Sequence, residues 1–169
     1  MTGTETRNRL GQQPGLGLKL LAGGRLFMWE LQKQIHIYIA AKRQEDRSHL
    51  VDSMILDGFN VTAFPSAGEL WERFELRPAR IVVTERRFEF GLSGLELVGR
   101  IRKLQPWPYV YVVVMSALNR MEEIEQGLEA GVDDYLIKPF NPVQLRARAL
   151  VALRWLSYLD SLAQDPAAG

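Results

Sequence analysis

Few side chains in this chain are equipped to do chemistry, and their positions narrow what that chemistry is. There is no cysteine, which removes thiolate nucleophiles, thiolate metal sites and disulfides. The two histidines, His36 and His49, show no metal-ligand spacing, and His36 alternates within a strand-like run as a packed residue does. The remaining polar groups stand at the ends of apolar runs: Thr84 and Glu85 after "RIVV", Ser116 after "YVYVVVM", and Lys138 after "DYLI". An ammonium in such a place can bind a small anion. Thr84, with no evident base beside it, is a poor nucleophile, and Glu85 is expected to point away from it because strand side chains alternate faces. The loops at these ends lack a glycine-rich phosphate cradle.

The elements that must position these groups follow from periodicity. "IHIYIAA" (35–41), "NVTAF" (60–64), "RIVVT" (80–84), "YVYVVVMSA" (109–117) and "DYLIK" (134–138) read as strands, mostly buried on both faces. Between them lie helical patterns. The first runs from about 47 to 56 and stops at Gly58; the second begins at a capping box, Ser66 with Glu69. Residues 93–104 and about 119–131 form two more, and Asn141 caps a last helix from Pro142 to about 159. Five strands alternating with five helices imply a doubly wound α/β fold of flavodoxin-like topology, strand order 2-1-3-4-5, with helices on both faces. In such folds the working site lies beyond the carboxyl ends of the strands, where Thr84, Ser116 and Lys138 fall.

With 169 residues and 47% hydrophobic content the chain is sized for one core. Residues 1–33 are expected to be a flexible tail with a short helix near its end, 34–160 the domain, and 161–169 a C-terminal tail. Lys plus Arg number 21 against 20 Asp plus Glu, a net charge of +1, so there is no general electrostatic case for nucleic acid, even with Arg77, Arg80, Arg86 and Arg87 clustered around the third strand. "GLGLKLLAGGRLFMW" is interrupted by Lys19 and Arg25, too early for a membrane span or a signal peptide. A soluble, cytoplasmic chain is expected.

The segment "VVVMSA" followed by "GLEAGVDDYLIKPFNPVQLRARALVAL" resembles the second half of the receiver domain of bacterial response regulators, the CheY-like family, and the likeness runs from Gln34 to about Leu156. The resemblance implies phosphoryl transfer from a partner's phosphohistidine to an aspartate ending the third strand. It also implies a magnesium ion held by two acidic groups at the end of the first strand, magnesium favouring octahedral oxygen ligation. Ser116 falls at the family's hydroxyl position, Lys138 and Pro139 at its lysine with a cis Lys-Pro bond, and Tyr135 at its switch aromatic.

The metal and nucleophile side of that site is missing from the sequence. Thr84 takes the acceptor position, and the acidic pair falls on Ala40 and Ala41 or on Ala41 and Lys42, depending on register, with no carboxylate in either. Glu45 and Asp46 come later, as solvated acids near the first turn of a helix. The loop from 85 to 92 is about two residues longer than the family's and lacks its Met-Pro-Gly pattern. The expected function is therefore a degenerate receiver: a phosphorylation-independent protein interaction module in two-component signalling, not an enzyme, with no metal and no cofactor. The alternatives are a phosphoacceptor using Thr84 or Glu85, and a flavodoxin-like domain binding a small anion or nucleotide.

Expected partners are signalling proteins, a histidine kinase or an output protein. The face formed by 119–130, 134–138 and 142–159 offers a homodimer, the competing reading being an ordinary amphipathic core helix. After Leu162 only "AQDPAAG" follows, and no DNA-binding output domain is expected in this sequence.

Overall fold

The computed structural model describes residues 31–104, 108–117 and 120–164. Five β/α units follow one another: β1 (His36–Ala40), α1 (Gln44–Leu56), β2 (Asn60–Phe64), α2 (Ala67–Leu76), β3 (Ile81–Glu85), α3 (Gly94–Lys103), β4 (Tyr111–Ser116), α4 (Met121–Ala130), β5 (Asp134–Ile137) and α5 (Pro142–Gln164). All neighbouring strands pair in parallel, in the order β2-β1-β3-β4-β5. The doubly wound fold expected from the sequence is the one formed.

The sheet divides the core in two. On one face Ile37, Ile39, Val83 and Met115 meet α1 through Met54 and α5 through Leu153. On the other, Tyr38, Val82 and Val114 meet α2 through Phe74 and α3 through Leu97. Each side chain so enclosed contributes roughly 1.5–3 kcal/mol of burial. Faces alternate along each strand, and that alternation decides which residues reach the site.

Helix starts follow local chemistry. Ser93 accepts from the Glu96 amide while the Glu96 carboxylate accepts from the Ser93 amide, a complete capping box. Asn141 and Gln144 make the same exchange at the start of α5, and Ser66 caps α2. Gly94, the first residue of α3, lies so close to the Glu85 carbonyl that a Cβ there would collide with it. The absence of a side chain at Gly94 lets the end of β3 tuck against the helix start.

Several boundaries differ from expectation. Residues 31–34 are helical, with Leu31 and Gln32 buried, so the core begins before residue 34; residues 1–30 lie outside the described residues. Helix α1 starts at Gln44, three residues early, which puts Glu45 and Asp46 in its first turn. Helix α5 runs to Gln164, so 161–164 continue the helix and are not tail. The reason lies at Asp160, which is buried and receives both terminal nitrogens of Arg80, at 3.2 and 2.9 Å. A charge at that place looks in sequence like the end of the apolar stripe, but Arg80 lets the buried stripe go on one turn further.

His36 is packed, as expected: its Nε2 lies 2.7 Å from the Thr62 hydroxyl, and burial, then Arg77 and Arg73, lower its pKa. No helix among the described residues is long and apolar enough to cross a membrane.

Candidate functional site

Beyond the carboxyl ends of β1, β3, β4 and β5 lies a cavity of about 200 Å3 whose polar lining is Lys42, Glu85, Arg86, Arg87, Ser116 and Lys138. Its centre is the Glu85 carboxylate, only 5% exposed. One oxygen, Oε1, accepts from the Lys42 amide at 3.0 Å and lies 3.3 Å from the Lys138 ammonium. The other, Oε2, lies 3.2 Å from the Lys42 ammonium. A single carboxylate is therefore held between two lysines and a backbone N–H.

This arrangement overturns the expectation that Glu85 points away from the pocket. Within β3, Ile81 and Val83 face the α1 and α5 side, and Glu85 continues that alternation. Thr84 belongs to the opposite face. It pairs in register with Ala40 and Val114, is fully buried, and donates its hydroxyl proton to the Glu85 carbonyl at 3.1 Å. The structure thus brings Lys42, Glu85, Ser116 and Lys138 together and leaves Thr84 and Ala40 beneath the sheet's other face. Ala41 lies on the Glu85 side, buried among the α1 contacts.

Lys138 is placed by the main chain as well, its amide donating to the Ser116 carbonyl at 2.8 Å, and the bond to Pro139 is cis. Ser116 is buried at the end of β4. The residues present do not fit a magnesium ion. Glu85 is the one carboxylate lining the cavity, an ammonium already sits against it, and no cluster of three or more His, Asp or Glu suited to a metal occurs among the described residues.

Arg86, in sequence only one of four arginines clustered around the third strand, is buried. Its terminal nitrogens donate to the Glu123 carbonyl at 2.8 Å and to the Gln126 side chain at 2.7 Å, tying the end of β3 to α4. Arg87 reaches the Glu123 carboxylate at 3.2 Å, and Arg80 is committed to Asp160. Arg80 and Arg86 therefore hold the fold together, while Arg77 and Arg87 are exposed at the surface.

Tyr135 turns toward α4, its hydroxyl donating to the Glu123 carbonyl at 3.3 Å. Burial is the main cause of its raised pKa. The ring occupies space available only because position 127 is glycine, since a Cβ there would coincide with the tyrosine hydroxyl. Gly127→Ala should therefore expel Tyr135 toward solvent at a cost of roughly 1–3 kcal/mol of overpacking. In a Tyr135→Ala background the same change should stabilise by about 1 kcal/mol through helix propensity. Urea unfolding of the four-member cycle measures the difference.

With its parallel sheet and a lysine and hydroxyl at the strand ends, the molecule has the architecture of a signalling receiver. Residues 37–150 match the family described as the response regulator receiver domain, and the chain belongs to that family. It is 29% identical over 162 residues to the transcriptional regulatory protein TcrA of Mycobacterium tuberculosis, covering 96% of this chain and 57% of that protein. It is 31% identical over 137 residues to the transcriptional regulatory protein CseB of Streptomyces avermitilis, covering 81% and 57%. The chain thus spans little more than half the length of these curated relatives. Among solved structures, the chemotaxis protein CheY4 of Vibrio cholerae superposes with a TM-score of 0.65 at 15% identity, over 70% of this chain and 98% of that one. A two-component response regulator from Clostridium difficile superposes with a TM-score of 0.65 at 25% identity, over 72% and 97%.

Proposed function

We propose that this receiver works in two-component signalling without accepting a phosphoryl group, its pocket held in one state by its own charges. The observation that carries this reading is Glu85 clamped between Lys42 and Lys138. Glu85, not Thr84, then stands for the family's acceptor, and the Lys42 ammonium supplies the positive charge that a metal ion supplies elsewhere. Both carboxylate oxygens are engaged by donors, two of them cationic, and no second carboxylate lines the cavity to anchor a divalent ion.

The output would be contact with a protein, a histidine kinase or an output protein. Transcriptional regulation, the role in the names of the relatives, would reach this chain through such a partner. The face of α4, β5 and α5 suits a protein contact or a homodimer, because Leu128, Ile137, Val151 and Trp155 are exposed there. The second reading is a phosphoacceptor using Glu85, favoured by the carboxylate lying beside Lys138. Incubation with acetyl phosphate and magnesium, followed by intact mass, separates the two. The unmodified mass is expected, and an adduct of one phosphoryl group on Glu85 would establish the second reading.

A further inference from the structure

Next to the Glu85 cavity, and sharing Met115, Ala117 and Lys138 with it, is a second cavity of about 410 Å3 between the start of α1 and the loop joining β5 to α5. Its volume lies in the range of small-molecule sites, roughly 300–1,000 Å3. Ala41, Leu50 and Met115 line it and are buried, with Pro139 and Phe140 as a further apolar wall. Two of the lining residues are alanines, so the space is open where longer side chains would close it. The polar groups of the lining are Lys138 at the junction with the Glu85 cavity, and Asp46 and His49 from α1.

Charge selects the end that a ligand would present to the junction. The ion pairs around the Glu85 cavity place four cations, Lys42, Arg86, Arg87 and Lys138, against two carboxylates, Glu85 and Glu123. Lys138 is 30% exposed in its side chain, and an ammonium has three protons to donate. It can serve Glu85 and a second acceptor together, while Lys42 keeps Glu85 neutralised. Asp46, also in the lining, disfavours a second negative group on the ligand. Crevices beyond the carboxyl ends of parallel strands are also where open α/β sheets bind ligands.

We infer that this cavity is a binding site for a small monocarboxylate with an apolar body, its carboxylate on Lys138 and its body between Ala41, Leu50, Met115 and Phe140. The site shares Lys138 with the Glu85 cavity, and binding there does not require that Glu85 accept a phosphoryl group. Occupation would wedge α1 against the loop that carries Lys138 and Pro139, so a ligand would bear directly on the Glu85 clamp.

Phenylbutyrate is a suitable probe, with phenylbutylamine as its charge-reversed counterpart, titrated by amide NMR on the full chain. Expected are saturable shifts at the amides of Ala41, Ala117 and Phe140, with phenylbutyrate binding at least about tenfold tighter than the amine, as a charge-assisted contact predicts. Lys138→Met should remove that preference, and Ala117→Leu should block both probes by filling the cavity, with unchanged far-UV dichroism showing that the variant folds. If Ala117→Leu does not fold, the loss of preference in Lys138→Met decides alone. The inference is overturned by no saturable shift at those amides, by equal or tighter binding of the amine, or by shifts confined to the exposed stripe of α5 at Val151 and Trp155. None of these outcomes alters the mass measured after acetyl phosphate treatment, so the two readings fail separately.

Discussion

Changing Ala41 and Lys42 to aspartate and Glu85 to aspartate should turn a chain that takes up no phosphoryl group into one that takes up one per molecule in acetyl phosphate and magnesium. Three features act against transfer, and the triple variant removes each of them. Lys42→Asp withdraws the ammonium that lies 3.2 Å from the Glu85 carboxylate. The new carboxylates at 41 and 42 supply oxygen ligands of the kind magnesium requires. Glu85→Asp draws the nucleophile back by one methylene, opening space for an incoming phosphoryl group between it and Lys138.

The triple variant should be less stable than the parent without metal. Position 41 is buried, and burying an unpaired carboxylate is costly. Magnesium should then raise its Tm, because an ion that binds only the folded state stabilises it by mass action. Glu85→Asp alone should stay unmodified for want of metal anchors. Thr84→Asp is the informative control: its side chain lies on the face of Ala40 and Val114, so an adduct there would show that Thr84 is the acceptor position after all. The reading is also lost if the triple variant, folded and responsive to magnesium, remains without an adduct.

Arg80→Met should lower the unfolding free energy by about 3–5 kcal/mol, the usual effect of leaving one member of a buried ion pair without its partner. Arg80 grips Asp160 with both terminal nitrogens and donates its Nε proton to the Tyr109 carbonyl at 2.9 Å. It thus joins the start of β3, the segment two residues before β4 and the far half of α5. Removing it strands the Asp160 carboxylate, 9% exposed in its side chain, and frees a backbone carbonyl. Denaturant unfolding measures the loss, and hydrogen exchange should place its first effects in the last turns of α5. Arg80→Met with Asp160→Leu should recover much of it, since replacing a buried pair with apolar groups is often neutral or stabilising. A double variant as unstable as Arg80→Met alone would mean that the Tyr109 contact, not the ion pair, carries the stability.

Much of this molecule was legible as sequence. The runs at 35–41, 80–84 and 109–117 are too apolar and β-branched to be anything but strands buried on two faces. Their alternation with helical patterns leaves little freedom in a parallel sheet, because crossover handedness and connection rules prune the rest. Ser66 and Asn141 announced helix starts because capping is local, a matter of three or four residues. The family likeness rested on a contiguous stretch around Lys138, which follows β5 and lines the cavity.

The pocket's occupant was decided only in three dimensions. Thr84 and Glu85 are adjacent, and which one faces Lys138 depends on the parity of β3 against β1 and β4; a one-residue slip exchanges the two faces. One sequence signal favoured Glu85, its shared face with Ile81 and Val83, but which sheet face carries the site is set by where α1 and α5 dock. Lys42 could not be read as the partner of Glu85 either, since it sits beyond the end of β1 and the two meet across 43 positions of chain. The same distance hid Arg86 on Glu123 and Arg80 on Asp160, contacts separated by 37 and 80 positions. Local sequence thus determined the elements, their order and the lysine of the site, because those depend on periodicity, caps and short connections. Tertiary structure alone decided which charges meet, because the sign and spacing of buried ion pairs arise only when distant strand and helix ends converge on one low-dielectric pocket.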